Sequence, residues 1–137
     1  EYDFESVLDL FCGSGAYSRI ASEYGATGIK AVDIDTSAAE PNLSNVEGAE
    51  VVESDVFDYN TESEVDLLIA DPFYGMSPQF IDEKLPAMAE RADYLFMTIA
   101  SNGHWYWEQK ILNLLSDHVE IQNKHNTGRI IQIFGEI

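Results

Sequence analysis

The sequence is poor in cysteine and in long apolar runs, and both shortages exclude classes of protein. Cys12 is the only cysteine among 137 residues, so no disulfide can form within the chain and a cysteine-rich zinc site is excluded. No stretch approaches the roughly 18 to 20 apolar residues that a membrane span requires. The acidic start of the sequence is unlike a signal peptide. We therefore expect a cytoplasmic protein that neither enters a membrane nor holds a metal.

Basic residues are also scarce, and this shortage bears on the choice of partner. Seven lysines and arginines stand against 25 aspartates and glutamates, for a net charge of −18. The acidic residues are spread along the chain, which predicts an acidic surface rather than a disordered tail. We expect adaptation to high salt, where screening weakens self-repulsion. Without a basic run, affinity for a nucleic acid has to come from specific contacts or from a partner protein that recognises the target.

Strand-like and helical patterns alternate along the chain, with no linker or repeat, so residues 1–137 are predicted to form one domain. The predicted strands cover 6–11, 27–34, 50–56, 65–70, 92–99, 119–124 and 129–136. The predicted helices cover 16–24, 36–43, a segment after Ser77, and 105–117. This order predicts an α/β fold: a doubly wound, mostly parallel seven-stranded sheet with helices on both faces and a C-terminal antiparallel hairpin.

Apolar rows at helical spacing predict which helix faces are buried. In the first helix the row that should face the sheet is Tyr17, Ile20, Ala21 and Tyr24. In the third helix, which Ser77 is expected to cap, the buried row is Ile81, Leu85 and Met88, and Pro86 is expected to introduce a kink.

Residues 9–15 read Asp-Leu-Phe-Cys-Gly-Ser-Gly between the first strand and the first helix. Gly13 and Gly15 let the backbone approach a ligand closely, and the helix N-terminus directs N–H groups towards it. Asp9 is placed either to hold the N–H groups of this turn or to accept a hydrogen bond from a ligand ammonium group. Cys12 is interpreted as a small residue that fits the turn, because no base lies near it in sequence.

Further acidic residues follow the other predicted parallel strands. Asp33 is suited to accept hydrogen bonds from both hydroxyls of a ribose, whereas Asp35 is assigned to capping the next helix. Asp55 either meets an adenine amine or is a solvated surface acid. Since the carboxyl ends of parallel strands lie at one edge of a sheet, these residues and Asp71 are expected to converge there.

The segment 71–74 reads Asp-Pro-Phe-Tyr directly after the fourth predicted strand. A carboxylate together with the carbonyl oxygen of Pro72 can accept hydrogen bonds from an amino group on a ring and so direct its lone pair at an electrophilic methyl group. Tyr74 can stack on a flat base, which is worth about 1–3 kcal/mol. An ordinary strand-to-turn Asp-Pro pair is the alternative.

These two segments, in this order, resemble motifs of the class I S-adenosylmethionine (SAM)-dependent methyltransferases, and in particular of those that methylate amino groups of RNA and DNA bases. The first motif, Asp-x-Phe-x-Gly-x-Gly, matches at Asp9, Phe11, Gly13 and Gly15, and the second, Asp-Pro-Pro-Tyr, matches at Asp71, Pro72 and Tyr74. Phe73 departs from the second proline of that motif. The resemblance covers essentially the whole chain, although no separate target-recognition domain is present.

The resemblance implies SAM as cofactor and a nucleic-acid substrate, RNA or DNA. It implies catalytic roles for Asp71, Pro72, Phe73 and Tyr74. The implied cofactor-binding residues are Asp9, Phe11, Cys12, Gly13, Gly15, Asp33, Ile34, Asp55 and Val56.

Two alternatives belong to other classes of protein. A nicotinamide-dependent oxidoreductase also uses a Gly-x-Gly turn and a downstream acid, but Ser18 occupies the third glycine position and the segment 71–74 would have no role. A non-catalytic SAM-binding scaffold is the other. The aromatic-rich stretch 101–107 is either a loop followed by the first turn of a packed helix or, at His104, Trp105 or Tyr106, part of a target pocket.

Overall fold

The computed structural model describes residues 3–61, 63–72, 77–101, 105–125 and 128–137. Seven strands form one sheet: β1 (Ser6–Leu10), β2 (Gly28–Asp33), β3 (Ala49–Glu53), β4 (Val65–Ala70), β5 (Ala92–Ser101), β6 (Asp117–His125) and β7 (Gly128–Glu136). The helices are α1 (Ala16–Glu23), α2 (Ala39–Leu43), α3 (Leu85–Ala89) and α4 (Trp105–Leu112), with a π-helical segment, Phe80–Lys84, directly before α3.

The strand order is β3-β2-β1-β4-β5-β7-β6. Strands β1 to β5 pair in parallel, whereas β7 is antiparallel to both β5 and β6 and lies between them. The doubly wound, mostly parallel sheet with its closing hairpin is therefore confirmed. The order reverses between β2-β1 and β4-β5, so the carboxyl ends of β1 and β4 flank the crevice where such sheets bind ligands.

Helices cover both faces of the sheet, as alternation along the strands requires. One face buries Leu8, Leu68 and Leu95 beneath the π segment, α3 and α4. The other face carries Val7 and Ile29 beneath α1, while α2 covers Ala31 through Leu43. Both sides of β1 are therefore inaccessible to water, which suits a strand that ends at a site.

The third helix follows its predicted buried pattern and contains a π-helical segment shortly before Pro86. Ser77 Oγ accepts a hydrogen bond from the N–H of Phe80 at 3.2 Å, and the predicted row of Ile81, Leu85 and Met88 is buried. Pro86 cannot donate a backbone hydrogen bond, and its ring crowds the carbonyl of residue 82. The turn before it is widened into the π segment, so the expected disturbance takes the form of a π-bulge.

The apolar row of α1 is only partly covered, contrary to the prediction. Ile20 is 48% exposed and Tyr24 is 84% exposed, while the fully buried residue of the helix is Ser18. Between α1 and strands β4, β5 and β7 lies an open apolar groove of about 470 Å³, lined by Phe4, Tyr17, Ile20, Ala21, Tyr24, Ala26, Leu67, Ile69, Phe96 and Phe134. None of the predicted cofactor-binding or catalytic residues that the structure describes lines this groove.

Several predicted ends were wrong by a few residues, and local hydrogen bonds explain the larger differences. Helix α2 begins at Ala39 rather than at 36, since the Thr36 hydroxyl bonds Glu53 of the neighbouring strand. Helix α4 ends at Leu112 rather than at 117, because the N–H of Ser116 bonds Glu136 of β7 at 2.8 Å and turns the chain into β6. None of the helices within the described ranges is long and apolar enough to cross a membrane.

Candidate active site at the carboxyl ends of β1, β2 and β4

The turn between β1 and α1 bends through three residues with positive φ: Phe11 at 58°, Gly13 at 55° and Gly15 at 80°. A side chain is excluded at Gly15, because a Cβ there would lie 2.7 Å from Leu43 Cδ1, whereas at Gly13 the same atom would meet open space. Gly15 therefore serves close packing of the turn on α2, and Gly13 leaves its backbone open to a ligand.

Asp33, the last residue of β2, fixes this turn. Its Oδ2 accepts a hydrogen bond from the N–H of Gly13 at 2.8 Å, and its Oδ1 accepts one from the N–H of Asp35 at 3.1 Å. Asp9 was predicted either to hold the N–H groups of this turn or to accept a hydrogen bond from a ligand. In the structure Asp33, and not Asp9, holds the N–H of Gly13. Each carboxylate oxygen keeps a further lone pair, so both remain able to accept from the hydroxyls of a ribose.

Asp9 lies one residue before the end of β1 and is completely buried. Its Oδ2 accepts the hydroxyl proton of Ser18 at 2.6 Å, and its Oδ1 has no hydrogen-bond partner. Burial raises the pKa of Asp9 to about 7; the hydrogen bonds from Ser18 oppose the rise, and the negative charges of Asp71 and Asp33 add to it. A carboxyl group is thus held in the site with no counter-charge from the described residues.

Asp71 follows β4, and its side chain is half-buried next to the fully buried Pro72. Burial raises the pKa of Asp71. Because Asp9 experiences the charges of both Asp71 and Asp33, the structure brings together three of the predicted acids, from three adjacent strands, beside the glycine turn. Phe73 and Tyr74, the other two predicted catalytic residues, lie outside the described residues.

Asp55 lies two residues beyond β3 rather than at its end. Its Oδ1 accepts a hydrogen bond from the N–H of Phe57 at 3.0 Å and its carbonyl accepts from Asp58 and Tyr59, so the chain already turns here. The side chain of Val56 is buried in the core, which leaves only its backbone for a ligand. The predicted adenine contacts of these two residues stay predictions.

Two further residues near Asp33 differ in what they offer a ligand. The side chain of Ile34 is 70% exposed and presents apolar surface next to that carboxylate. Asp35 instead accepts hydrogen bonds from Ser37: the one from the side chain contributes most to lowering the pKa of Asp35, and the one from the backbone N–H, at 3.0 Å, lowers it further. It shapes the turn before α2 rather than capping the helix itself, which begins at Ala39.

Cys12 is buried and its backbone N–H bonds Val32 at 3.0 Å. Burial, followed by the charges of Asp9 and Asp33, raises the pKa of its thiol to about 12. The thiolate is therefore not accessible near neutral pH, in agreement with its interpretation as a small residue of the turn. Within the described part of the chain, no group of three or more His, Cys, Asp or Glu side chains is arranged to hold a metal ion.

Ser18 is the residue that the sequence pattern missed. It reads as a polar interruption between Tyr17 and the remaining apolar positions of α1, yet it is the helix residue that contacts the buried Asp9. The available signal was its spacing, nine residues after Asp9 and in the first turn of the helix. The predicted pocket residues His104, Trp105 and Tyr106 cannot be compared, because residues 102–104 and the side chains of 105–106 lie outside what is described.

Comparison with known families places this site in context. Residues 2–100 match the family described as "Ribosomal protein L11 methyltransferase (PrmA)". A ribosomal protein L11 methyltransferase of Thermosipho melanesiensis is 45% identical over 67 residues, which are 47% of this chain and 26% of that protein. A tRNA (guanine(10)-N2)-dimethyltransferase of Methanothermobacter thermautotrophicus is 34% identical over 87 residues, or 58% of this chain and 25% of that protein. The chain spans about a quarter of the length of both.

Solved structures share the fold. The N-methyltransferase NodS from Bradyrhizobium japonicum superimposes with a TM-score of 0.80 at 12% identity, over 97% of this chain and 85% of that one. The same protein has been solved with S-adenosyl-L-homocysteine (SAH) bound, with a TM-score of 0.75 at 14% identity over 97% and 78% of the two chains.

Proposed function

Because the chain belongs to the family of ribosomal protein L11 methyltransferases, we propose that it transfers the methyl group of SAM to an amino nitrogen of a macromolecular substrate. The observation that carries this proposal is the meeting of Asp9, Asp33 and Asp71 beside the glycine turn. These groups come from the carboxyl ends of three adjacent strands, where a doubly wound sheet binds its ligands.

The cofactor fits the groups on the β1–β2 side of this edge. SAM carries a ribose, an adenine and two positive centres, a sulfonium and an ammonium. In this proposal the carboxylate of Asp33, already oriented by Gly13, accepts hydrogen bonds from the ribose hydroxyls. The exposed side chain of Ile34 packs against the adenine, and Asp55 with the backbone of Val56 accepts from the adenine amine.

The acceptor nitrogen is assigned to the β4 side, at Asp71 and Pro72. An amino group that donates a hydrogen bond to the Asp71 carboxylate and another to the Pro72 carbonyl is held with its lone pair directed at the sulfonium methyl. The new N–C bond forms as the C–S bond breaks, SAH leaves, and the nitrogen then loses a proton. Positioning supplies most of the acceleration, since the sulfonium is already a good leaving group. Phe73 and Tyr74 complete this proposal as stacking residues.

An exocyclic amine of a nucleic-acid base, in RNA or DNA, is the first candidate substrate, because the segment 71–74 has the residue types that recognise a flat amine. The second candidate is an amino group of a ribosomal protein. The family description and the net charge of −18 favour it, since an acidic surface attracts a basic polypeptide and repels phosphates. A separate protein that presents the target is compatible with either substrate.

The experiment is methyl transfer from isotope-labelled SAM, in about 2 M KCl, to transfer RNA, ribosomal RNA, duplex DNA and basic ribosomal proteins offered separately. We expect one class to accept label and the Asp71→Ala variant to lose about 100-fold or more in turnover while still binding SAM. Asp93→Ala is the matched control, because Asp93 is an exposed acid near the amino end of β5, at the edge of the sheet opposite to the candidate site. An Asp71→Ala variant with full activity would refute the catalytic assignment.

The same experiment separates the alternatives. SAM binding without transfer to any of the four substrate classes would favour the non-catalytic scaffold. Binding of NAD in place of SAM would favour the oxidoreductase, for which the family match gives no support.

A further inference from the structure

The Asp9–Ser18 pair is a buried polar arrangement that methyl transfer itself does not use. Asp9 is fully buried in β1 and Ser18 is fully buried in α1. Their side chains are joined by a hydrogen bond of 2.6 Å, and Ser18 is the donor. The second oxygen of Asp9, Oδ1, is buried and has no partner. A buried carboxyl oxygen without a donor is costly, so this position requires an explanation.

The charges that face Asp9 all have the same sign. Asp33 on β2 and Asp71 after β4 are the acids that act on it, and the Cys12 thiol of the turn is the remaining titratable neighbour. Among the described residues, no lysine, arginine or histidine contributes to its electrostatic environment. Arg19, the basic residue next in sequence to Ser18, instead bonds the carbonyl of Asn42 and the side chain of Asn45. The described part of the site therefore holds no protein cation that balances Asp9.

A carboxyl group in such a place keeps its proton until a cation arrives. Desolvation and the two neighbouring acids oppose ionisation, while the Ser18 hydroxyl stabilises the ionised form. The pKa of Asp9, about 7 in the ligand-free protein, is consistent with this balance. A ligand with a positive centre would reverse it, because an opposite charge within a few ångströms favours the carboxylate.

We propose that SAM binds with release of one proton from Asp9, so that the Asp9–Ser18 pair makes cofactor capture dependent on pH. The inference rests on the proposed function. The protonated carboxyl gives its proton to solvent, and the carboxylate that remains balances the positive charge of the cofactor. Below pH 7 the cofactor competes with a proton for this site, and above it the carboxylate is already available.

The linkage has a definite size. With a ligand-free pKa of about 7 and full ionisation in the complex, SAM should bind roughly tenfold more weakly at pH 6 than at pH 8.5. Calorimetric titrations of the protein with SAM, in two buffers of different ionisation enthalpy, give the number of protons released. We expect a value close to one at pH 6 and close to zero at pH 8.5.

Two variants and one control make the test specific. Asp9→Asn should abolish both the proton release and the change of affinity with pH. Protons that SAM itself gains or loses contribute equally to the measurements on both proteins and cancel in the comparison. Ser18→Ala removes the hydrogen bond that favours the ionised form, so the midpoint should move to higher pH. Ser22→Ala, one turn later on α1, should leave the midpoint unchanged. If Asp9→Asn fails to fold, judged by circular dichroism, the comparison of Ser18→Ala with Ser22→Ala decides.

The outcomes separate this inference from the function on which it rests. Tight SAM binding with the same affinity at both pH values, or equal proton release by the wild type and Asp9→Asn, would overturn the inference and leave the function standing. Absence of SAM binding at every pH by folded protein would overturn both. If the inference holds, titration with SAH, which lacks the sulfonium charge, identifies which positive group of the cofactor the Asp9 carboxylate balances. Proton release with SAH indicates the ammonium, and release with SAM alone indicates the sulfonium.

Discussion

Replacing Asp9 by asparagine should change the stability of the ligand-free protein in a way that depends strongly on pH. Asparagine has nearly the same shape and can still accept the Ser18 hydrogen bond, but it never ionises. The native pKa of Asp9 is about 7 against an ordinary value of 3.8. Between these values the native state holds a proton that the unfolded chain has lost, so the contribution of Asp9 to stability falls as pH rises from 3.8 to 7.

The size of the effect follows from the same two values. At 1.36 kcal/mol for each pH unit, an ionised Asp9 costs the native state about 4 kcal/mol above pH 7. The cost fades as pH falls below 3.8 and is absent near pH 2, where the carboxyl is protonated in both states. The free energy of unfolding of Asp9→Asn, relative to wild type, should therefore increase by about 4 kcal/mol between pH 4 and pH 8.

Urea unfolding of both proteins at a series of pH values between 4 and 9, at constant salt, measures this difference directly. Groups with a shifted pKa that do not interact with Asp9 contribute equally to both proteins and cancel. Glu108 is one of them, since its hydrogen bond with Glu120 raises its pKa to about 7. A difference between the two proteins that stays constant within about 1 kcal/mol across the range would show that Asp9 ionises freely in the native state, and the reasoning on its burial would be wrong.

Three other predictions concern the turn, the β1–β4 pair and the surface. Gly15→Ala should destabilise the protein by about 3 kcal/mol and Gly13→Ala by about 1 kcal/mol. Both variants strain a residue with positive φ, but only the new Cβ at residue 15 contacts Leu43. Equal losses of stability in urea unfolding would contradict the role of Leu43. Asp66→Asn should reduce the free energy of unfolding by about 1 kcal/mol at pH 7 and not at all at pH 2. The Asp66 carboxylate accepts hydrogen bonds from the N–H groups of Ser6 and Glu5, which lower its pKa, so this stabilisation is lost as pH falls. A loss of stability that is the same at both pH values would contradict this explanation. Raising KCl from about 0.1 to 2 M should stabilise the wild type, as the charge of −18 is screened; equal thermal midpoints at both concentrations would refute adaptation to high salt.

Periodicity carried most of the fold, because each strand and helix has a local pattern that the tertiary structure preserves. The predicted strand 65–70 has the observed ends, and the first helix, predicted over 16–24, runs from Ala16 to Glu23. Periodicity does not show which part of a helix's apolar row another element covers. Tyr24 lies in the apolar row of α1 and is nevertheless 84% exposed, since no described element packs over that part of the helix.

The candidate site was predictable to the extent that topology alone brings residues together. Asp9, Asp33 and Asp71 converge because parallel strands end at one edge. Their individual tasks depend on contacts between distant residues, and a sequence does not show these. Two examples are the holding of the turn by Asp33 rather than by Asp9 and the burial of Ser18 against Asp9. Asp55 looks like the other acids in sequence, but β3 ends at Glu53, opposite Asp33, and the chain already turns at Asp55 two residues later.

The position of β7 between β5 and β6 has a consequence for the order of assembly. Strand β6 is made before β7 on the ribosome, yet its only described pairing is with β7, which itself adds to β5. Until Gly128–Glu136 has been synthesised and has paired with β5, β6 has no β7 edge to pair with, so the sheet contains five strands up to that point. A nascent chain arrested within β7 would therefore lack two strands rather than one, and protease resistance of this half of the sheet should appear in a single late step.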